Sequence, residues 1–527
     1  MAELEWSPGT GAEVWAMLRG ADVGDLATVR ELVECRPALV NCCFAYRTPL
    51  HFAVREGRLE VAAYLLGQGA DAVNMVDGDG FLRMARERHH DALVRLLEAH
   101  LLDKFGICPE GAEMAAAMRA GDVARALQVP GLLAVADQRG NRAIHWAVLL
   151  RRIDWVDALL ELGAGLETQR PDGARPLQLV NGDYHFRGWR DVDAESAATP
   201  EEMLRHLLVR GAEMDICTAS YLGDAARVKQ LLAEDPGRAN RTVDYVTYYL
   251  GSGSPLRNAA ARGRKEVVEI LLAAGADPNL REEGIAPRGA ALYEAAAAGW
   301  HDIARLLLRH GADPNAAVES SADCLSRAIQ NKDERMIELL RSYGARRPIH
   351  LIAYYGDTEA LAAMREIPAD PGAVASAAEN GHDEFVRMIL ARWPQIASDV
   401  HCAGAKTREL TEYLFAAGMN PSHRDWQGAT PLHEQAGRGD LRNAELYLHH
   451  GAELEARDDE WRSRPLGWAA REGKLDMVDF LLQHGALAAH PDDEDWATPL
   501  AWAESRGHQA VASRLREAIK PEFRPGS

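Results

Sequence analysis

Residues 430–453 read TPLHEQAGRGDLRNAELYLHHGAE, and this stretch decides the fold. Thr430 can cap a first helix, and Pro431 at its first turn loses no hydrogen bond because that position has no helical acceptor. Gly439 permits a tight turn, and Gly451 ends a second helix with a left-handed cap. The stretch therefore predicts two short helices joined by a turn.

The same markers recur along the chain. A Gly-Ala pair closes an apolar run at Gly69, Gly163, Gly211, Gly275, Gly311, Gly344, Gly451 and Gly485. The opening motif recurs as Thr48-Pro49-Leu50-His51, Ser254-Pro255-Leu256 and Thr498-Pro499-Leu500. The spacing is 33 residues from Gly311 to Gly344 and 34 from Gly451 to Gly485. With this opening motif and this period, the chain resembles the ankyrin-repeat family.

The resemblance implies an all-α solenoid of helix–turn–helix repeats whose β-hairpin fingers point toward one concave groove. We expect about 16 repeats, with insertions near 181–199 and 241–254. One helix pair cannot bury both of its faces, so each repeat should be stabilised by its neighbours.

Variation in the markers predicts an organisation into five segments. These are partly degenerate N-terminal repeats at 1–136, central repeats with insertions at 137–345, degenerate short repeats at 346–424, consensus-like C-terminal repeats at 425–520 and a tail at 521–527.

Composition limits the partner and the compartment. The 79 acidic and 59 basic residues give a net charge of −20, which disfavours nucleic acid and anionic membranes and favours a basic or neutral partner. The seven cysteines are scattered and odd in number, so we expect no disulfide framework. The sequence shows neither a signal-peptide pattern nor a membrane-spanning stretch. We expect an acidic cytoplasmic protein.

Departures from the repeat are the best candidates for a binding site. Lengthened segments at 181–193, 242–255 and 282–290 fall in successive repeats and could frame one pocket. Its expected lining is Tyr184, His185, Phe186, Arg187, Trp189, Asp244, Tyr245, Tyr248 and Tyr249. Aromatic rings with polar tips are typical anchors for protein partners or sugar-like ligands. Alternatively, these aromatics cover an apolar edge that the irregular repeats expose.

A second aromatic set lies near the C-terminus. Trp426, Trp461 and Trp496 are 35 residues apart, and each precedes the start of a repeat. They form either an exposed ladder that contacts a partner or a set of rings that pack sideways on the next finger. Trp146, Trp468 and Trp502 fall inside first helices and are predicted to pack in the core.

No motif predicts a catalytic centre, a cofactor or a metal site. His51, His145 and His433 occupy the Thr-Pro-Leu-His position and are predicted to be structural. The cysteines lack metal-ligand spacing, and neither a phosphate-binding loop nor a nucleophile elbow is present. Asp183, His185 and Asp244 could supply a general acid and base only if the insertions close a pocket.

The leading prediction is a noncatalytic scaffold that binds a protein partner on its concave face. The alternative is a small polar ligand or carbohydrate bound, or an atypical reaction catalysed, at the inserted segments.

Overall fold

A computed structural model describes residues 4, 7–73, 75–76, 79–182, 198–243, 249–280, 291–316 and 323–519. Their contacts separate into two units. The N-terminal unit contains the residues up to Arg346 other than 87–89, and the C-terminal unit contains the residues from Arg347 together with 87–89.

Both units consist mainly of short α-helices. The N-terminal unit contains α1 Gly11–Val23, α2 Leu26–Cys35, α3 Pro49–Arg55, α4 Leu59–Gly67, α5 Phe81–Glu87, α6 Asp91–Phe105, α7 Pro109–Arg119, α8 Val123–Ala126, α9 Ala143–Leu149, α10 Ile153–Glu161, α11 Pro200–Val209, α12 Ile216–Leu222, α13 Ala225–Glu234, α14 Pro255–Ala261, α15 Lys265–Ala273, α16 Ala291–Ala297, α17 His301–Arg309, α18 Cys324–Gln330 and α19 Glu334–Ser342. It also has 3-10 helices at Pro37–Asn41, Pro176–Asn181 and Pro236–Asn240.

The C-terminal unit continues the same alternation of short helices. It contains α20 Ile349–Tyr355, α21 Thr358–Ala362, α22 Pro371–Asn380, α23 Asp383–Arg392, α24 Arg408–Ala416, α25 Pro431–Arg438, α26 Leu441–His449, α27 Pro465–Arg471, α28 Leu475–Gln483, α29 Pro499–Ser505 and α30 Gln509–Ile519, with a 3-10 helix at Pro394–Asp399. None of the described helices in either unit is long and apolar enough to cross a membrane.

A first helix and the second helix that follows it form a helix pair, and successive pairs stack on one another. First helices pack on first helices, as α12 does on α14 and α14 on α16. The side chains at this contact include Ala259, Ala295 and Ala328, which are fully buried. A methyl group is small enough for neighbouring helices to approach closely, so alanine at this position sets the spacing of the stack.

The expected start and stop signals are confirmed. Thr48, Ser254 and Thr498 each accept a hydrogen bond from the backbone N–H three residues on, with proline at the first helical position. Gly275 and Gly451 both have φ of 86° at the end of a second helix, a left-handed conformation that glycine adopts without steric cost.

Asparagine side chains tie the end of one pair to the end of the next. Asn279 donates from Nδ2 to the Gly311 carbonyl over 2.8 Å and accepts from the Asp313 N–H over 2.7 Å. Asn240 and Asn315 repeat this bridge one pair earlier and one pair later. The amide supplies both a donor and an acceptor, so it satisfies two backbone groups that the helix ends leave unpaired.

The segments between pairs, which we call fingers, form the expected β-hairpin in one case and turns in others. Within the described residues, strand pairing is confined to β1 Met75–Val76 with β2 Asp79–Gly80 and to isolated bridges such as Phe44 with Arg47. In the C-terminal unit, the Asp425 carboxylate accepts from the N–H groups of Gln427 and Ala429, and Asp458 accepts from Trp461 and Ser463. Side-chain acceptors thus replace strand partners and hold these fingers as turns.

The histidines of the opening motif join a first helix to the next finger. His433 Nδ1 accepts from the Thr430 N–H at 3.0 Å, and its Nε2 lies 3.3 Å from the Ser463 carbonyl. His145 makes the equivalent contacts with Arg142 and Thr168. Nδ1 can accept only in the neutral ring, and burial lowers the pKa of His433 to about 4. These contacts support the structural role predicted for both residues.

One repeat in the C-terminal unit lacks its first helix. Between the 3-10 helix and α24, residues 400–407 run without helix and occupy the space between α22 and α25. The Lys406 N–H donates to the Ala378 carbonyl on one side, and Gln435 Nε2 donates to the Ala403 carbonyl on the other. The polar backbone of this segment is therefore paired with both neighbouring first helices.

Larger residues fill the volume left by the missing helix. Gln435 stands where α14 and α16 have the contact alanines Ala259 and Ala295, and it is fully buried. Tyr447 occupies the place that Leu481 has in α28, and its hydroxyl donates to the Cys402 carbonyl. Gln435 and Tyr447 match the gap left by the missing helix in size and in hydrogen-bonding capacity, so the stack of helix pairs continues through it.

The histidine contacts predict a pH-dependent stability. Above about pH 6.5, where an unfolded histidine is neutral, His433 contributes its full stabilisation. As the pH falls toward about 4, the unfolded chain takes up a proton that folded His433 resists, so this stabilisation is lost. In His433→Gln, the urea midpoint should fall less between pH 7 and pH 5 than in the wild type.

Glutamine is a suitable replacement for His433, because Gln178 occupies the equivalent position in another repeat. Its Oε1 accepts a hydrogen bond from the Arg175 N–H at 3.0 Å. An equal fall in midpoint for variant and wild type would contradict the assignment of this pH dependence to His433.

Candidate binding surface

Most residues predicted to line the insertion site lie outside the described part of the chain. These are Tyr184, His185, Phe186, Arg187, Trp189, Asp244, Tyr245 and Tyr248, and the third lengthened segment at 282–290 lies outside it as well. The binding role of these residues stays a prediction.

Tyr249 is described, and its position differs from the expected lining of a surface pocket. It is only 4% exposed. Its hydroxyl donates to Asp172 Oδ2 over 3.0 Å and accepts from Arg170 Nη2 over 2.8 Å. Arg170 and Asp172 form a buried ion pair at 2.5 Å, and Arg170 also donates to Asn141 Oδ1. The Tyr249 side chain is therefore part of an interior network in the N-terminal unit.

A missing finger explains why Tyr249 reaches so far along the array. Residues 212–214 alone separate Gly211 from Asp215, which caps α12, whereas residues 452–463 separate Gly451 from the cap of α27. The long finger that follows α13 therefore has no finger directly before it. Its last residues pack instead on the finger of the preceding pair, where Tyr249 meets Arg170 and Asp172.

The same gap leaves a cavity of about 140 Å³ in the N-terminal unit. Ile216 and Leu231 contribute apolar side chains to its wall, and Arg175, Asp215 and Arg241 contribute charged ones. Burial raises the pKa of Asp215, although the carboxylate accepts hydrogen bonds from Thr218. Pockets for drug-sized ligands typically enclose about 300–1,000 Å³. This cavity is therefore smaller than a typical drug-sized pocket, and the small-ligand alternative at the inserted segments stays a prediction.

The C-terminal tryptophans do not stack on one another finger by finger. The Trp461 ring lies 4.2 Å from that of Trp468 on α27, and Trp496 meets Trp502 on α29 edge-on at 5.9 Å. Trp426 is 42% exposed on the finger before α25. Trp461 and Trp496 therefore each contact a tryptophan on the first helix that follows, and their role in partner binding stays a prediction.

An arginine that sequence reasoning missed connects these rings. The Arg471 guanidinium lies over the Trp461 ring at 3.8 Å and near Trp502 at 5.6 Å. This cation–π contact joins the α27 and α29 pairs. We call Trp461, Trp468, Arg471, Trp496 and Trp502 the tryptophan–arginine cluster. In sequence, Arg471 is simply the last residue of a helix, so nothing marked it as part of an aromatic group.

Polar contacts anchor the two tryptophans on the first helices. Trp468 Nε1 donates to Asp458 Oδ2 at 3.0 Å, and Trp502 Nε1 donates to Ser463 Oγ at 2.8 Å. Trp502 is buried, as predicted for a core residue, whereas Trp146 and Trp468 are half-buried. Burial raises the pKa of Asp458, whose carboxylate holds both the finger backbone and Trp468. The cluster is consequently attached to the scaffold through hydrogen bonds.

Burial limits the reactivity of some of the seven cysteines. All are free thiols. Burial raises the pKa of the thiols of Cys42, Cys324 and Cys402. The thiolate is the reactive form, so these three side chains are inert at neutral pH.

Comparison with known proteins identifies the repeated unit. The family model for ankyrin repeats in three copies matches residues 256–349 and 433–524, and the model for a single ankyrin repeat matches residues 46–78. These segments make up less than half of the chain. Within these segments the chain contains ankyrin repeats.

Curated relatives share one part of the array. The palmitoyltransferases ZDHHC13 of human and of the orangutan Pongo abelii are each 31% identical over 141 residues, and that of mouse is 30% identical. Each match covers 25% of this chain and 22% of the relative. The chain therefore spans about a fifth of the length of these relatives.

The interior network predicts a stability effect for Tyr249. Tyr249→Phe removes the hydroxyl that Arg170 and Asp172 share but keeps the ring, so the unfolding free energy should fall by about 1–3 kcal/mol. Hydrogen exchange should accelerate at the amides of residues 170–180. Tyr221→Phe is the control, because its ring lies under the Arg262 guanidinium and that contact survives the change. Unchanged exchange in Tyr249→Phe would contradict the structural role.

Proposed function

We propose that this protein is a noncatalytic scaffold and that the fingers of its C-terminal repeats bind a basic segment of a protein partner. The observation that carries the proposal is the tryptophan–arginine cluster together with exposed Trp426. Aromatic groups held by a rigid framework are the side chains that most often dominate the binding energy of protein interfaces.

The charge beside these rings favours a basic partner. Asp459 lies two residues before Trp461, and Asp492 and Asp495 lie on the finger that carries Trp496. All three carboxylates are exposed. A lysine or arginine of a partner could meet a carboxylate and an aromatic face at the same place. The net charge of −20 would further speed the approach of a cationic segment.

The proposal also includes the number of repeats, the segment boundaries and the cellular compartment. The succession of helix pairs supports a count of about 16 repeats, in which some repeats lack a finger or a first helix. The segment boundaries at 136, 345, 424 and 520 are part of this proposal. The free, buried thiols favour a reducing compartment such as the cytoplasm. We attribute no acyl transfer to this chain, because the similarity to the palmitoyltransferases covers only about a fifth of them.

A peptide-display selection tests the proposal. We expect a library of random peptides selected on the immobilised full-length chain to become enriched in lysine and arginine. The enriched peptides should bind Trp426→Ala at least tenfold more weakly than the wild type, as expected for an interface hot spot. The double variant Asp459→Asn/Asp495→Asn should also bind them more weakly, with most of the difference lost at high salt.

Trp15→Ala is the matched control, because Trp15 is 61% exposed on α1 in the N-terminal unit. Selection of acidic or uncharged peptides would contradict the proposal. Equal loss of binding in Trp15→Ala and Trp426→Ala would contradict it as well.

A further inference from the structure

Two histidine rings meet at the repeat that lacks its first helix. His401 lies in the non-helical segment 400–407, and His423 lies in the finger that leads to α25. Their Nδ1 atoms are 3.5 Å apart, and the ring planes are inclined by 71°. Both side chains are partly exposed, so an ion from solution can reach them.

A carboxylate fixes the orientation of the His401 ring. Its Nε2 donates to Glu434 Oε1 over 3.0 Å, and the other oxygen of Glu434 accepts from Arg438 at 2.5 Å. With the proton of the neutral ring on Nε2, the lone pair of Nδ1 points toward His423. Histidines that bind metals usually have this arrangement, in which a carboxylate holds the nitrogen opposite to the ligating one.

The separation of the two nitrogens also fits a shared ion. Two ligands at about 2.0–2.1 Å from a tetrahedral Zn²⁺ are about 3.3–3.4 Å apart. The two Nδ1 atoms are within about 0.2 Å of this separation as they stand. The separation therefore suits ligation of one ion by both nitrogens.

We propose that His401 and His423 bind one divalent transition-metal ion, represented by Zn²⁺, through their Nδ1 atoms. In the described residues no group of three or more His, Cys, Asp or Glu side chains has metal-binding geometry, so water completes the coordination. Imidazole nitrogens suit zinc, copper and nickel, and hard oxygen-seeking ions such as Mg²⁺ and Ca²⁺ are disfavoured.

The ion links the segment that replaces a first helix with the finger that follows α24. His401 belongs to the segment that replaces a first helix, and His423 belongs to the next finger. Because the bound ion holds both, it stabilises the folded joint in proportion to its affinity for the native state. The site uses no residue of the tryptophan–arginine cluster, although His423 lies three residues before Trp426 on the same finger.

Calorimetric titration of the full-length metal-free chain with Zn²⁺ tests the proposal. The wild type should bind one more equivalent than His401→Ala or His423→Ala. Glu434→Gln should retain the site with an affinity about 10–100-fold lower, because it loses the carboxylate that orients His401. Zn²⁺ should raise the melting temperature of the wild type more than that of either alanine variant.

His449→Ala is the matched control, since His449 is exposed in the same unit and its ring lies 5.4 Å from that of His450. It should keep the wild-type stoichiometry. Circular dichroism of each metal-free variant establishes that it is folded. Equal stoichiometry in the wild type and both alanine variants would overturn the proposal, and so would an equal loss in His449→Ala.

Discussion

The close packing of one first helix on the next is the contact on which this structure depends. Each helix pair has an apolar face that it cannot cover by itself, and only the neighbouring pairs can bury it. Ala259, Ala295 and Ala328 show the constraint most directly, since each is fully buried at such a contact. A larger residue there would separate the helices, unless the adjacent helix were absent.

The irregular repeats show the converse: where a neighbouring helix or finger is missing, a larger side chain fills the space. Where residues 400–407 replace a first helix, Gln435 and Tyr447 supply the missing volume and donate hydrogen bonds to the buried backbone carbonyls of Ala403 and Cys402. Where the finger before α12 is missing, Tyr249 from the next finger spans the gap and joins the Arg170–Asp172 ion pair. A tyrosine fills the gap in both places, because its large ring takes up space while its hydroxyl forms a hydrogen bond with a buried polar group.

The sequence predicted correctly those features in which a residue interacts with backbone groups close to it in the chain. Proline, threonine and glycine predicted the ends of helices such as α14 and α25, because capping and left-handed turns are local. It missed the bridging asparagines, although Asn279 and Asn315 each stand four residues after a closing glycine and could have been found by that spacing. It also predicted β-hairpins for fingers that aspartates hold as turns.

The candidate site was less predictable, because its contacts join residues from different repeats. Trp461 and Trp496 could be singled out by their spacing, but the position of Arg471 between Trp461 and Trp502 depends on how a finger folds over a helix. The approach of His401 to His423 likewise follows from a missing helix, which no spacing of ligands encodes.

Hydrogen exchange along the wild-type chain tests most directly whether stability comes from contacts between adjacent pairs. Residues 346–424 contain the five-residue helix α21 and the repeat without a first helix, whereas α25–α30 form complete pairs. The account predicts that amides in 346–424 exchange well before those in 425–516, because a very short second helix and a missing first helix interrupt the stack of helix pairs there. Uniform protection across both segments would show that the unit unfolds as a whole and would contradict the account.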